Sequence, residues 1–402
     1  MGRRLSRIHR QTATIAVALG IGMGVLSVGG TSSASESSSS GNSTWVIGSL
    51  GSVSGPFGAS DSGQRSAMVA WGKWTNAHGG INGHKVKVIE FDDKGDPATA
   101  LSEVKTLVQQ DHVMAIVGDY SITEPVWAPY VQQHKIPVIG GTLAGAFYAT
   151  NPYFFATGTL PPAILVAGID LAKKEGATKA ADMVCAESPL CAQSIAAIKP
   201  ASQAIGIPVV YTTTISASAP SYAAECLAAK SAGADTLVIG DDSNTALRVY
   251  QSCSQQGYNP IPAAGATEVD SAWLAPSFTQ GKLYYHTAFP WFLASTPATR
   301  DFHAALRQYA PGALINGVTS DVWAAAQVFK GAAISGKLGN NPTPSQVNQA
   351  MYTLPAKYTT NGLTPPLTYK KGKVTSVNCW FVYGINHHQF TGPDGLKTTC
   401  LH

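Results

Sequence analysis

The sequence predicts an α/β protein of two Rossmann-like, doubly wound lobes, each a parallel sheet with helices on both faces. Three observations carry this. Strand-like and helix-like segments alternate along the chain. The alternation restarts partway, giving two similar wound units. At 402 residues, with 45% hydrophobic and only 12% charged side chains, the chain can bury two cores.

Trp45–Leu50 reads as the first strand, and the segment after it carries Ala67, Ala70, Trp71 and Trp74 at helical spacing. Gly79-Gly80-Ile81-Asn82-Gly83 is a tight turn feeding the strand Lys85–Phe91, with Asp92 and Asp93 at that strand's end. Asp96-Pro97 then reads as N-cap and first residue of a helix to about Gln110, burying Leu101, Val104, Leu107 and Val108. Val113–Val117 is the next strand, ending at Gly118; a helix over roughly Pro125–His134 and a short apolar strand, Ile136–Ile139, follow. The rhythm restarts with strands Ala181–Cys185, Pro208–Thr213, Thr236–Ile239 and Pro262–Gly265, alternating with helices near Ala192–Ile205, Tyr222–Ala232 and Asn244–Gln256.

The N-terminus has signal-peptide architecture over residues 1–34: a basic head, the apolar run Ile15–Val28 and small residues ending in Ser32-Ser33-Ala34. A retained anchor is the competing reading, but the run is shorter than the roughly 20 apolar residues a spanning helix needs, and glycines interrupt it. Arg3-Arg4, without the rest of a twin-arginine motif, reads as n-region charge. Residues 35–44 form a serine-rich tether. The chain is therefore expected to be exported, to an extracellular or periplasmic location. Its first cysteine is Cys185, which excludes a lipoprotein anchor. Of the +4 formal charge, Arg3, Arg4, Arg7 and Arg10 minus Glu36 supply +3, leaving +1 for residues 45–402. That balance gives no reason to expect nucleic acid or an acidic membrane as partner.

Six cysteines in an exported chain suggest disulfides, among fifteen possible connectivities. Pairing of sequence neighbours is simplest: Cys185–Cys191, Cys226–Cys253 and Cys379–Cys400. Small buried thiols are the alternative. With no Cys-x-x-Cys pair and with His387-His388 merely adjacent, no metal site is expected.

Gly79–Gly83, Lys85–Phe91 and Asp92–Pro97, with Ser54-Gly55-Pro56-Phe57-Gly58 upstream, resemble the branched-chain amino-acid (leucine/isoleucine/valine) type of solute-binding protein, the receptor component of an ABC importer. The resemblance spans nearly all of residues 45–390 and is strongest in 48–142. It implies the type I periplasmic binding fold, with a three-strand hinge crossed near Ala156–Thr159, Thr287–Pro290 and Leu363–Thr368. Lobe 1 would then comprise 45–157 plus 289–364, and lobe 2 158–288 plus 365–402. It also implies a small-molecule ligand trapped by lobe closure, ABC permease subunits as partners, a monomer, and no cofactor.

Ligand groups in such a fold belong at strand C-termini. In the resembled family the loop here reading Gly118-Asp119-Tyr120-Ser121-Ile122-Thr123 offers hydroxyls and N–H groups to a ligand carboxylate, and Ser121 and Thr123 are the matching side chains. Capping of the next helix is the other reading for one of them. The family's second carboxylate loop falls on Gly140–Ala144, where Thr142 can donate but a further threonine is replaced by Ala144. Phe57 should wall the ligand's apolar end or pack into the lobe. Tyr120, Trp127, Phe147, Tyr148, Trp273 and Trp291 could stack on a planar ligand, but core or hinge packing is the preferred reading for most of them. In lobe 2 amino-acid binders hold the ammonium with an acid and a tyrosine; here the matching loops read Ala266-Thr267-Glu268 and Gly240-Asp241-Asp242. Leu190-Cys191 stands where a Tyr-Gly pair is common. These departures weaken a leucine-like zwitterion as ligand. Asp241, Asp242 and Glu268 could take a cation or a hydroxyl-rich solute, Thr267 is a further candidate ligand contact, and Ser121 and Thr142 suit a carboxylate or amide. A helix-dipole role is the alternative for the two aspartates.

The chain contains no phosphate-binding lysine loop, His-Glu-x-x-His, Gly-x-Ser-x-Gly or dinucleotide glycine fingerprint. Ser102-Glu103-Val104-Lys105 has Ser-x-x-Lys spacing only inside an amphipathic helix, and Asp92 and Asp93, as strand neighbours, point to opposite faces. A non-enzymatic binding protein is the reading, with a ligand sensor of the same fold second and a secreted hydrolase third.

Overall fold

The computed structural model describes residues 42–141, 147–187, 189–266, 268–373 and 375–401. The expected signal peptide, the tether up to Gly41, Thr142, Ala144 and Thr267 lie outside the described residues.

The first lobe is built from β1 (Trp45–Gly51), α1 (Gly58–Asp61), α2 (Gly63–Ala77), β2 (Val86–Asp92), α3 (Pro97–Gln109), β3 (Ile116–Asp119), α4 (Glu124–His134), β4 (Val138–Gly141), α5 (Phe147–Thr150) and β5 (Phe154–Phe155). Its five strands run parallel in the order β2-β1-β3-β4-β5. Central β1 is almost wholly buried, as a parallel strand covered on both faces must be. The glycine turn is sterically required: Gly80 has φ +74°, and a Cβ there would stand 2.1 Å from the His84 carbonyl. Asp96 caps α3, accepting the Thr99 N–H at 2.7 Å with Pro97 in the first turn. The strand expected over 113–117 begins later, because the Val113 N–H still bonds to Leu107 O at the end of α3. It then continues through Gly118 to Asp119.

The second lobe contains α6 (Ala163–Lys174), β6 (Ala180–Cys185), α7 (Pro189–Ala204), β7 (Val209–Ile215), α8 (Ala223–Ser231), β8 (Thr236–Gly240), α9 (Ser243–Gln255) and β9 (Ile261–Pro262), with parallel order β7-β6-β8-β9. β9 is shorter than expected; Gly265 instead bridges in parallel to Tyr285 of β10 (Lys282–His286). The chain then supplies α10 (Pro297–Tyr309), α11 (Gly317–Ser335) and α12 (Pro344–Met351), of which α10 and α11 pack on α2 of the first lobe. It returns as β11 (Cys379–Asn386), β12 (Gln389–Thr391) and β13 (Thr398–Cys400), an antiparallel set around β11 that also takes in β10.

Crossing segments lie side by side: the Leu160 N–H donates to Val377 O, the Thr159 hydroxyl to Cys379 O, and the Phe289 N–H to Leu363 O. Tyr358 and Leu367 exchange backbone bonds, and Tyr369 packs on Phe155 while its hydroxyl reaches Ala156 O. Leu363, Leu367 and Tyr369 are thereby bonded or packed to Phe289, Tyr358 and the Phe155-Ala156 segment.

All three neighbour disulfides form. They tie the end of β6 to α7, α8 to α9, and β11 to β13. Among the described residues no His/Cys/Asp/Glu group is placed to hold a metal, and no helix is long and apolar enough to cross a membrane.

Candidate functional site

A cavity of about 220 Å³ lies where the two lobes face one another. The first lobe supplies Phe57 and Asp61 from the loop and short helix after β1, Tyr120 and Ile122 after β3, and Asp321 from α11. Opposite stand Asp241 and Asp242 after β8, Ala266 and Glu268 after β9, and Tyr285 of β10. Between α6, α7 and the second sheet the cavity continues along Leu165, Ile198 and Val238 to Asp182. Most of the wall is apolar, and every charged side chain on it is acidic. No lysine, arginine or histidine lines it among the described residues.

Of the residues expected from sequence, Phe57, Tyr120, Asp241 and Glu268 converge on this cavity. Ser121 and Thr123 do not line it. Both hydroxyls turn inward and donate to Asp93, whose carboxylate also takes the Ser52 hydroxyl at 2.6 Å and the Gly95 N–H at 2.8 Å. Ser121 Oγ further accepts the Trp127 indole N–H at 3.2 Å. With Asp93 and Ser121 fully buried, this set fastens the loops after β1, β2 and β3 to each other. Asp92 does the same on the other side of its strand, accepting the N–H and hydroxyl of Ser54. Asp242 reaches the cavity wall, but its carboxylate caps α9 through the N–H groups of Asn244 and Thr245 and the Thr245 hydroxyl. Of the aromatic candidates other than Phe57, only Tyr120 lines the cavity. Trp127, Tyr148, Trp273 and Trp291 are buried in ring-to-ring contacts, and partly buried Phe147 packs on Phe154.

Sequence reasoning missed Asp61, Asp182, Asp321 and Tyr285. Only Asp182 carried a local signal, a lone acid in the otherwise apolar run Ala180–Cys185. Asp321 accepts the Thr287 hydroxyl at 2.7 Å and the Tyr120 hydroxyl at 3.3 Å, so it couples the hinge to the first-lobe wall. Its neighbour His286 accepts the Ala288 N–H on Nδ1, and burial holds its pKa down at about 3, so the contact with Asp321 is no ion pair.

Burial governs the acids. It raises Asp61 to about 8 against the hydrogen bond from Ser60, with the charges of Asp242 and Asp93 adding to the rise. Asp241 is raised to about 8 by burial, with its Oδ1 accepting the Asp242 N–H and its Oδ2 unpartnered. Asp321 and Asp182 are lifted to about 7, and Glu268 well above the carboxylate range. No basic side chain among the described lining residues offsets them; only Asp182 feels an opposing charge, that of Lys199. Behind the first-lobe wall, Asp119 and Glu124 form a buried acid pair: burial and then the charge of Asp93 push Asp119 well up, and burial and then the charge of Asp119 push Glu124 well up.

The chain matches the family model described as "Periplasmic binding protein" over residues 44–391. Among solved structures it is similar to a branched-chain amino acid ABC transporter protein from Thermus thermophilus with bound valine. That pair is 16% identical with a TM-score of 0.79, covering 90% of this chain and 97% of the other. It is also similar to a fatty acid ABC transporter substrate-binding protein from Thermomonospora curvata (15% identity, TM-score 0.73, 90% and 92% covered). A curated "Amino acid binding protein" from Pseudomonas aeruginosa is 37% identical over 79 residues, 19% of each chain. The match thus spans about a fifth of that relative's length.

Proposed function

Because the chain belongs to the periplasmic binding protein family, whose members bind substrates and are not enzymes, we propose that it is the exported, monomeric receptor of an ABC importer and that its ligand is a small amphipathic amine. The lobes, divided near residues 157 and 288 and again past Tyr369, close on the ligand and present it to permease subunits. One similar structure holds valine and another belongs to a fatty acid ABC transporter, so the fold leaves the ligand open.

One observation carries the choice of an amine: Asp61, Asp241, Glu268 and Asp321 meet in one cavity with no basic side chain among the described lining residues. A ligand carboxylate would add charge to that set, whereas an ammonium supplies the missing counter-ion and several donors. Asp241 Oδ2, buried and unpartnered, is the first acceptor for it. Phe57 and Ile122 would cover the ligand's apolar part. With Ser121 and Thr123 committed to Asp93, the carboxylate loop of amino-acid binders is occupied by the fold itself.

A thermal-shift panel of alkylamines, amino acids, aromatic acids, amides and polyols tests this. A ligand at 1,000 times its dissociation constant stabilises by about 4 kcal/mol. Amines should give the largest shifts; a panel in which only carboxylates shift the midpoint would overturn the ligand assignment, and turnover of an ester or peptide would overturn the binding-protein reading.

A further inference from the structure

We propose that Asp182 is a second ligand-recognition point at the inner end of the cavity, so that the ligand is an elongated molecule with an ammonium at each end and an apolar body between. The inference rests on the amine reading above and goes beyond it in naming a second site and a ligand length.

Along β6 the side chains alternate. Ala181 and Met183 belong to the main core, whereas Ala180, Asp182 and Val184 occupy the opposite face; Ala180 packs with Ile169 of α6 and Ile198 of α7, and Asp182 and Val184 line the cavity. Asp182 is only 1% exposed, and neither carboxylate oxygen has a hydrogen-bond partner. No protein group bonds to it: Leu165, Ile198, Val238 and Ser194 line the cavity with it, the Thr212 hydroxyl stands beside it in register on β7 without a hydrogen-bond partner, and Lys199, whose charge lowers its pKa, makes no ion pair with it. Buried acids are paired in stable folds as a rule, and one left bare against a cavity awaits a partner from inside it. Burial raises this acid to about 7, in keeping with a missing cation.

The register fixes how far in the site lies. Asp182 stands opposite Val238 on β8, three residues before Asp241 at the mouth. At about 3.3 Å per residue, the two acids are separated by about 10 Å along the strand direction. Apart from Ser194, whose hydroxyl donates to the Cys191 carbonyl, the named walls over that distance are apolar, so a polar-ended, methylene-bodied ligand matches both the ends and the middle.

The test compares octylamine with 1,8-diaminooctane by isothermal titration calorimetry on the full mature chain, for the wild type, Asp182→Asn and Asp182→Leu. The wild type should prefer the diamine by about 10- to 100-fold, the loss expected when a charged hydrogen bond is removed. Asp182→Leu should reverse the preference. It should also raise the ligand-free thermal midpoint, which shows that the variant folds. Equal affinity of the wild type for the two amines, or a diamine preference that survives in both variants, would overturn the second site while leaving the amine reading intact. Failure of both amines to bind, with octanoate binding instead, would overturn both.

Discussion

Asp241→Asn gives the sharpest test of the acidic cavity, read through the pH dependence of octylamine binding. Asp241 and Asp61 both sit at about 8 in the free protein, so at pH 7 about one-tenth of each is ionised and at pH 6 about one-hundredth. An ammonium binds the ionised form. Each acid must therefore release its proton on binding, and affinity rises with pH until it levels off above about pH 8. The rise is about tenfold, or about 1.4 kcal/mol, per pH unit for each acid. Between pH 6 and 7 the wild type should gain about 100-fold and Asp241→Asn about tenfold. The alkylammonium itself stays charged throughout, since amines of this kind titrate near pH 10. Titration calorimetry from pH 6 to 9, in buffers of different ionisation enthalpy, counts the protons directly. Affinity that is flat with pH, or strongest at pH 6, would refute the claim that these acids receive a cation.

Other consequences follow from the framework of the lobes. Ser121→Ala should lower the thermal midpoint, by about 1–3 kcal/mol of stability for unsatisfying Asp93, while leaving octylamine affinity within about twofold; a selective loss of affinity would return Ser121 to the ligand. Replacing Cys226 and Cys253 by serine opens a loop of 27 residues and should cost about 3–4 kcal/mol, seen in urea denaturation. Burial holds protons on Asp119 and Glu124 in the fold, so their contribution is full below about pH 4 and is lost as pH rises through their raised values. Glu124→Gln should therefore melt higher than the wild type at pH 9 and about level with it at pH 4. Gly141→Ala should fail to fold, because a Cβ there would stand 1.6 Å from Asp119 O between β3 and β4.

Local chemistry was legible where one segment determines its own structure. The Asp96-Pro97 cap and the Gly79–Gly83 turn each depend on a few adjacent residues, and each is present; the disulfides close loops of 6, 27 and 21 residues between cysteines that are neighbours in sequence order. α10 and α12 announce themselves by Thr296-Pro297 and Thr343-Pro344 caps, yet nothing local says that α10 and α11 return to cover α2. The site divides in the same way. Asp241 and Glu268 follow strands, in the loops that the family resemblance marks as ammonium-binding, and were visible from that. Asp61 and Asp321 meet only because two loops and a distant helix converge, which is a tertiary fact. Ser121 shows the opposite limit: its position in the loop was right, but its rotamer and partner, Asp93, were decided by the loops packed around it.

The interleaving of the chain also sets an order of assembly during synthesis. The strands of the first sheet and α2 emerge first, while their cover arrives only with Pro297–Tyr309 and Gly317–Ser335. Until then α2, with Asn316 not yet donating to the Ser60 carbonyl, has no α10 or α11 to pack against. A nascent chain stalled before α11 is consequently a sticky intermediate, prone to aggregation or chaperone capture. A circular permutant opened between Trp291 and Thr296 would reverse this, delivering α10 to α12 ahead of β1 so that the first sheet meets its cover as it forms.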